Sequence, residues 1–146
     1  MTRPTAAQLA DVRAGARMTI AGAHSVGGVD GGSGVPVTGW SLEHGDLRVP
    51  HFVGLHAIQA LALVAVGVRR WRAPEAVRVR AVLAAAASYA ALFLLLLRKA
   101  LRGQSVMAPD ALASIAIWAV VTAMVFSWIA LRSRGASRDG LDRMAV

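Results

Sequence analysis

At 146 residues the chain has the length of one domain, and 56% of it is hydrophobic with a mean hydropathy of +0.54, above the range of an ordinary soluble domain. It contains no cysteine, which excludes disulfides, zinc ribbons, iron–sulfur centres and cysteine nucleophiles. The net charge of +8 comes from fifteen arginines and Lys99 against eight acidic residues; these cations flank apolar blocks, which argues for membrane topology and against nucleic-acid binding.

The opening stretch MTRPTAAQLADVRAG holds no apolar run of the length a cleavable signal peptide needs. Residues 1–21 have helical propensity, but Asp11, Arg13 and Arg17 would cost several kcal/mol in the middle of a span. The expectation is a helix lying at the membrane interface, with Leu9, Val12, Ala16 and Ile20 as its apolar stripe and Arg13 breaking it.

Residues 22–50, GAHSVGGVDGGSGVPVTGWSLEHGDLRVP, carry eight glycines in 29 residues. No Gly-Lys-Ser/Thr follows, so this is not a phosphate loop, and there is no GxGxxG after a strand to mark a dinucleotide site. A calcium loop needs more carboxylates than Asp30 supplies. The reading is a turn-rich cap, with Trp40 as an interfacial anchor. Asp46 and Arg48 are expected to pair with charges at the other outer ends, Arg98 or Asp110.

Three segments then have the length and character to cross a bilayer, which takes about 20 residues at 1.5 Å each. The first is 51–68. The second, 81–97, is short, but flanking arginines can snorkel to extend it. The third, 111–131, is uncharged and follows Asp110 as a natural N-cap. Lipid cannot satisfy an open backbone, so these are helices. Small residues at 84/88 and 87/91 suit close helix contact on the second. Tyr89 needs an internal partner, His56 or Gln59, and Trp118 lies deep enough to pack the bundle. Trp71 and Trp128 are expected to anchor the cytoplasmic interface.

The connection 69–80 has five arginines against Glu75, and the tail 132–146 has four against two aspartates. The positive-inside rule puts both in the cytoplasm, and 22–50 with the 98–110 connection outside. Arg98, Lys99 and Arg102 in that connection dissent from the rule.

All four histidines, His24, His44, His51 and His56, fall on the outer side of this topology. His51 and His56 are five residues apart and point about 140° apart on a helix, so they cannot both hold one ion. His56 and Gln59 share a face. One reading is a ligand site built by His24, Asp46, Arg48, His51, His56 and Gln59, with haem b or another metal held through His51 or His56, or a proton relay or small-solute pocket. The other is that the polar residues hydrogen-bond to neighbouring helices and only lock the bundle. No nucleophile–base pair or carboxylate pair stands out, so no catalytic residue is assigned.

The run AHSVGGVDGGSGVPVTGWSLEHGDLRVPHFVGLHAIQALAL, with RKALRGQSVMAPDAL further on, resembles a group of uncharacterised bacterial multi-pass membrane proteins over roughly residues 23 to 112. The matching positions are His24, Asp30, Trp40, Asp46, Arg48, His51, His56, Gln59, Arg102 and Gln104. The resemblance implies an architecture and no reaction. Members of the group have hydrophobic helices before the Gly-rich loop, where this chain has only TAAQLADVRAGARMTIAG. The chain is then a shortened version, begins late, or relies on a partner for those helices.

The sequence thus predicts an all-α integral membrane bundle of the bacterial inner membrane. It has three transmembrane helices, an N-terminal interfacial helix and a Gly-rich outer loop, with the lipid bilayer, a second copy or a partner membrane subunit as its contacts.

Overall fold

The computed structural model describes residues 6–15, 24–28 and 33–142. Asp30, residues 16–21 of the expected interfacial helix and the last residues of the tail lie outside them. The protein is mostly helical: α1 (Ala6–Arg13), α2 (Arg48–Leu55), α3 (Ala57–Arg69), α4 (Glu75–Leu101) and α5 (Pro109–Asp142), with two short strands, β1 (Ser25–Val26) and β2 (Gly45–Asp46). Two helices, α4 and the Pro109–Arg132 part of α5, are long and apolar enough to cross a membrane. The pair α2 and α3 meets the same test only when taken together across a bend of 41°.

At about 1.5 Å per residue α4 is about 40 Å long and exceeds the roughly 30 Å hydrocarbon core. It extends past the apolar run at both ends. Pro74 precedes its first turn, which holds Glu75, and Arg98 and Lys99 lie in its last, the charge placement a helix dipole favours. Gly103 stops it. Its φ of +73° is a left-handed conformation that a side chain resists. Its N–H bonds to the Ala100 carbonyl while the Gln104 N–H reaches back to Lys99, each at 3.0 Å, the paired bonds of a Schellman cap.

The next helix starts at Pro109, whose missing N–H costs nothing at a first helical position. Asp110 therefore sits inside the first turn rather than at the N-cap, and its carboxylate meets Lys99 Nζ at 2.5 Å. Asp110 is expected to pair with Arg48, and its ion pair in the structure is with Lys99.

Helix α4 lies between the α2–α3 pair and α5 and packs against both. The buried positions are small: Ala81, Ala85 and Ala100 on α4, Ala111 on α5, with Leu96 and Ile129 as the larger ones. The close-packed spacing on α4 is thus 81/85 and 96/100, and Ala87 and Ala91 are exposed. Ser88 from the expected 84/88 pair does face α5, where its hydroxyl is 2.7 Å from that of Thr122. Trp118 donates its indole N–H to the Ser88 carbonyl at 2.9 Å, so it packs the bundle as its depth suggested. Leu83, Leu94, Ile117, Val120, Met124 and Leu131 are exposed, a belt that suits hydrocarbon as solvent.

The α2–α3 pair differs from the single helix expected over 51–68. It breaks at His56, whose φ of −84° and ψ of 2° fall in the sparsely used bridge region. The cause lies across the bundle. Tyr89 donates its hydroxyl to the Val53 carbonyl at 2.6 Å, the acceptor that Ala57 would use in an unbroken helix. A side chain inserted at that ladder is a recognised origin of kinks. Tyr89 therefore finds its internal partner in the backbone, and neither His56 nor Gln59 provides it. Gly54 helps the approach, since an added Cβ there would sit 3.1 Å from the Phe93 ring.

Helix α1 has no apolar face turned to the rest of the described protein; Leu9, Val12, Asp11 and Arg13 are all exposed.

Candidate functional site

The Gly-rich segment folds as a cap over the bundle end that holds the α4 C-terminus and the α5 N-terminus. β1 and β2 pair antiparallel, Ser25 with Asp46 and Val26 with Gly45. A second tight turn brings Gly34 opposite Ser41, and the Val35 N–H bonds to the Trp40 carbonyl at 2.8 Å. Val37, at its tip, is fully exposed with φ of +76°, a strained value for a β-branched residue. Gly45 lies so close to α4 that an added Cβ would meet the Ala100 carbonyl oxygen. Glycine at 45 is a packing requirement.

Asp46 anchors this cap. Its side chain is 1% exposed. One carboxylate oxygen accepts the Arg48 N–H at 2.9 Å and the other accepts the Ser41 N–H at 2.9 Å. The Arg48 guanidinium binds the same carboxylate at 2.7 to 3.2 Å and reaches on to the Gly39 carbonyl at 2.7 Å. Burial pushes the carboxyl's pKa up. The Arg48 side-chain hydrogen bonds, the two backbone N–H groups and the guanidinium charge outweigh it, so Asp46 lies below the usual carboxylate range. The expected pairing of Asp46 and Arg48 with Arg98 or Asp110 is replaced by a pairing with each other. They are two residues apart, and the turn into α2 folds the arginine back.

Ser105, also buried, ties the cap to the far connection by donating its hydroxyl to the Ser41 carbonyl at 2.8 Å. Beneath these contacts a cavity of about 10 Å³, near the size that admits one water, is lined by Asp46, Val49, Lys99, Gln104 and Ala111. Gln104 Oε1 is buried there with no hydrogen-bond partner among the described residues. Ser41, Ser105 and Gln104 carry part of the cap chemistry that sequence reasoning did not assign. The available signal was Ser41 itself: its hydroxyl accepts the Glu43 and His44 N–H groups, the local turn that serines favour.

The histidines do not converge. The His24 carbonyl accepts the Leu47 N–H at 2.9 Å, which holds it at the cap strand. His44 lies 3.9 Å from the Glu43 carboxylate. His51 is exposed beside an open groove of about 320 Å³ between α2 and α4, lined also by Leu47, Pro50, Gly54, Phe93 and Leu97. His56 is exposed at the bend, its ring 4.3 Å from that of Phe52, which in turn lies edge-on to Trp40 at 5.9 Å. This aromatic series runs from the cap to the kink. Gln59 is exposed one turn further along α3. Among the described residues no three His, Asp or Glu side chains are grouped so as to hold a metal ion.

Of the expected ligand residues, then, Asp46 and Arg48 form one structural unit, His24 meets that unit through its backbone, and His51, His56 and Gln59 face outward from α2 and α3. The side chains that lock helices to one another are Tyr89, Trp118, Ser88, Thr122 and Lys99. Compared with family models, with curated proteins and with solved structures, the chain matches none.

Proposed function

We propose that the protein is a non-enzymatic, three-span subunit of the bacterial inner membrane whose outward-facing α2–α3 side engages another molecule. The cap faces the outside and the basic 69–80 connection faces the cytoplasm. The α2–α3 pair counts as the third span because it carries 22 residues, about 33 Å of helix, between the cap and Arg69. One observation carries the reading. Ser88, Tyr89, Trp118 and Thr122 face inward on the helices and bond across the bundle, whereas the side chains of His56 and Gln59 are exposed and make no hydrogen bond to a described residue. Polar groups at membrane depth face protein or a cavity, because hydrocarbon offers no partner.

The test compares wild type with a His56→Ala/Gln59→Leu variant on native gels after mild-detergent extraction. We expect the variant to migrate as a smaller species with unchanged helical circular dichroism. Equal migration would remove the subunit reading.

A second reading is favoured by the groove beside His51, which offers an imidazole at the rim of an apolar wall. It treats the same side as a ligand site that takes haem b. Helix geometry directs His51 and His56 apart, so an axial pair would need a histidine from a second molecule. A Soret band in the purified protein, lost in His51→Ala, would favour it over the subunit reading.

A further inference from the structure

The open groove between α2 and α4 is walled by apolar side chains and holds one polar group, the His51 imidazole. Its shape has a local cause. Gly54 presents no side chain opposite Phe93, while Phe93 and Leu97 stand one helical turn apart along the α4 wall. On the flank of a span the solvent for such a surface is hydrocarbon.

Unpaired charge lies beside it. Among the described residues the arginines and lysines at this end of the bundle are Arg48, Arg98, Lys99 and Arg102. Arg48 is bonded to Asp46 and Lys99 to Asp110, whereas Arg98 and Arg102 are exposed and form no ion pair with a described residue. Both also run against the positive-inside rule, so orientation in the membrane gives no reason for their placement. They are four residues apart on one helix, roughly 6 Å between Cβ atoms. Arg98 follows Leu97 by about 100° around α4, and Leu94 and Leu101, 60% and 59% exposed, fall between the two in angle. The depths agree as well. Gly54 is level with Phe93, and Val49 shares a small cavity with Leu96 and Ala100. His51 therefore comes within about one turn, roughly 5 Å, of Arg98 along the bundle.

We propose that this groove binds an anionic phospholipid of the bilayer. One acyl chain lies against Gly54, Phe93 and Leu97, the other covers Leu94 and Leu101, and the phosphate sits between His51 and Arg98 with Arg102 above it. The inference rests on the proposed function in treating α2–α3 as a span with the cap outside, and it gives to lipid the groove that the second reading gives to haem. Charge complementarity makes the choice. A guanidinium fork matches the oxygens of a phosphate in pairs, and an imidazole N–H adds a donor on the other side. A zwitterionic headgroup brings its own cation and leaves the two arginines without a net counter-charge.

The lack of cysteine in the chain allows single fluorescent labels. Bimane is attached through Leu55→Cys in the groove, and through Ile117→Cys on the exposed face of α5 as a control. The full chain is reconstituted in phosphatidylcholine vesicles that contain either dibrominated phosphatidylglycerol or dibrominated phosphatidylcholine as quencher. We expect quenching at position 55 to favour phosphatidylglycerol about fivefold or more in relative affinity, the factor that one near-surface arginine supplies toward anionic lipid. Position 117 should show no preference, and Arg98→Gln/Arg102→Gln should abolish the preference at position 55. Equal quenching by the two lipids at position 55 would overturn the proposal. So would a preference that survives loss of both arginines, or one as large at position 117, which would belong to the whole surface rather than to the groove. The contrast between positions 55 and 117 is measured with both arginines intact, so a folding defect of the double variant does not decide the outcome. The native-gel comparison of His56 and Gln59 leaves the groove untouched, so the subunit reading stands or falls separately. A Soret band lost in His51→Ala would put haem in the place of lipid.

Discussion

Asp46 gathers two backbone N–H groups and a guanidinium on one buried carboxylate, two residues before a helix. Bonds of this kind to a charged acceptor are worth about 1.5–3 kcal/mol each when the acceptor is deleted. Part of the ion pair's benefit is screened, because the arginine is 41% exposed and keeps contact with water. We expect Asp46→Asn to lower the exchange protection of the Ser41 and Arg48 amides by about tenfold or more, with the α4 amides little changed. The pH dependence has a definite sign. The folded carboxyl lies below its unfolded value of about 3.9, so its contribution is whole above that value and is lost as pH falls through the folded one. Cap amides in wild type should therefore lose protection below about pH 4, and those of Asp46→Asn should not show this acid step. Equal acid behaviour in the two proteins would show that some other group controls the cap.

At the scale of the element, the bend at His56 and the hydroxyl of Tyr89 are one feature. Phenylalanine keeps the ring and removes the donor. We expect Tyr89→Phe to reduce the 41° bend to about 20° or less, read from the relative orientation of α2 and α3 by NMR in oriented bilayers. It should also cost about 0.5–1.5 kcal/mol of stability. A bend that stays would put its origin in Gly54 or in the cap. The same feature shows where sequence reading stops. Helices α4 and α5 were legible because an uninterrupted apolar run has one solution in lipid, and only their ends ran longer than the run. The break at His56 was not legible, since it is set by Tyr89, which lies 36 positions from the Val53 carbonyl that it holds. The cap was legible as turns from its glycines, but its two-residue strands and the contact of Gly45 with Ala100 are made by main chain, which leaves no side-chain pattern. The pairing of Asp46 with Arg48 had a local signal, a carboxylate just before a helix start. The outward side of His51, His56 and Gln59 was legible as polar; that it would be left uncovered by the chain's own helices was not.

The whole molecule is thin. Its buried hydrophobic residues are mainly alanines, and long aliphatic side chains line its outside. Such a body is stable only where the surroundings are themselves apolar. The cap shares one end of the bundle with the α4–α5 connection, and the arginines of 69–80 occupy the other, so labelling fixes the orientation at once. We expect a cysteine placed by Val37→Cys to react with an impermeant maleimide on intact cells, and one placed by Arg72→Cys to react only after permeabilisation. The reverse pattern would invert the protein in the membrane.

The tie between Ser105 and the Ser41 carbonyl, with Gly45 pressed on Ala100, has an outcome for heredity as well as for shape. Since most of the lid is moored by amide and carbonyl groups common to every amino acid, its spelling can drift widely while its outline endures. A descendant of this chain should be recognised by a carboxylate and an arginine two letters apart, a glycine just before them and a serine on the opposite loop, long after the remaining letters have changed.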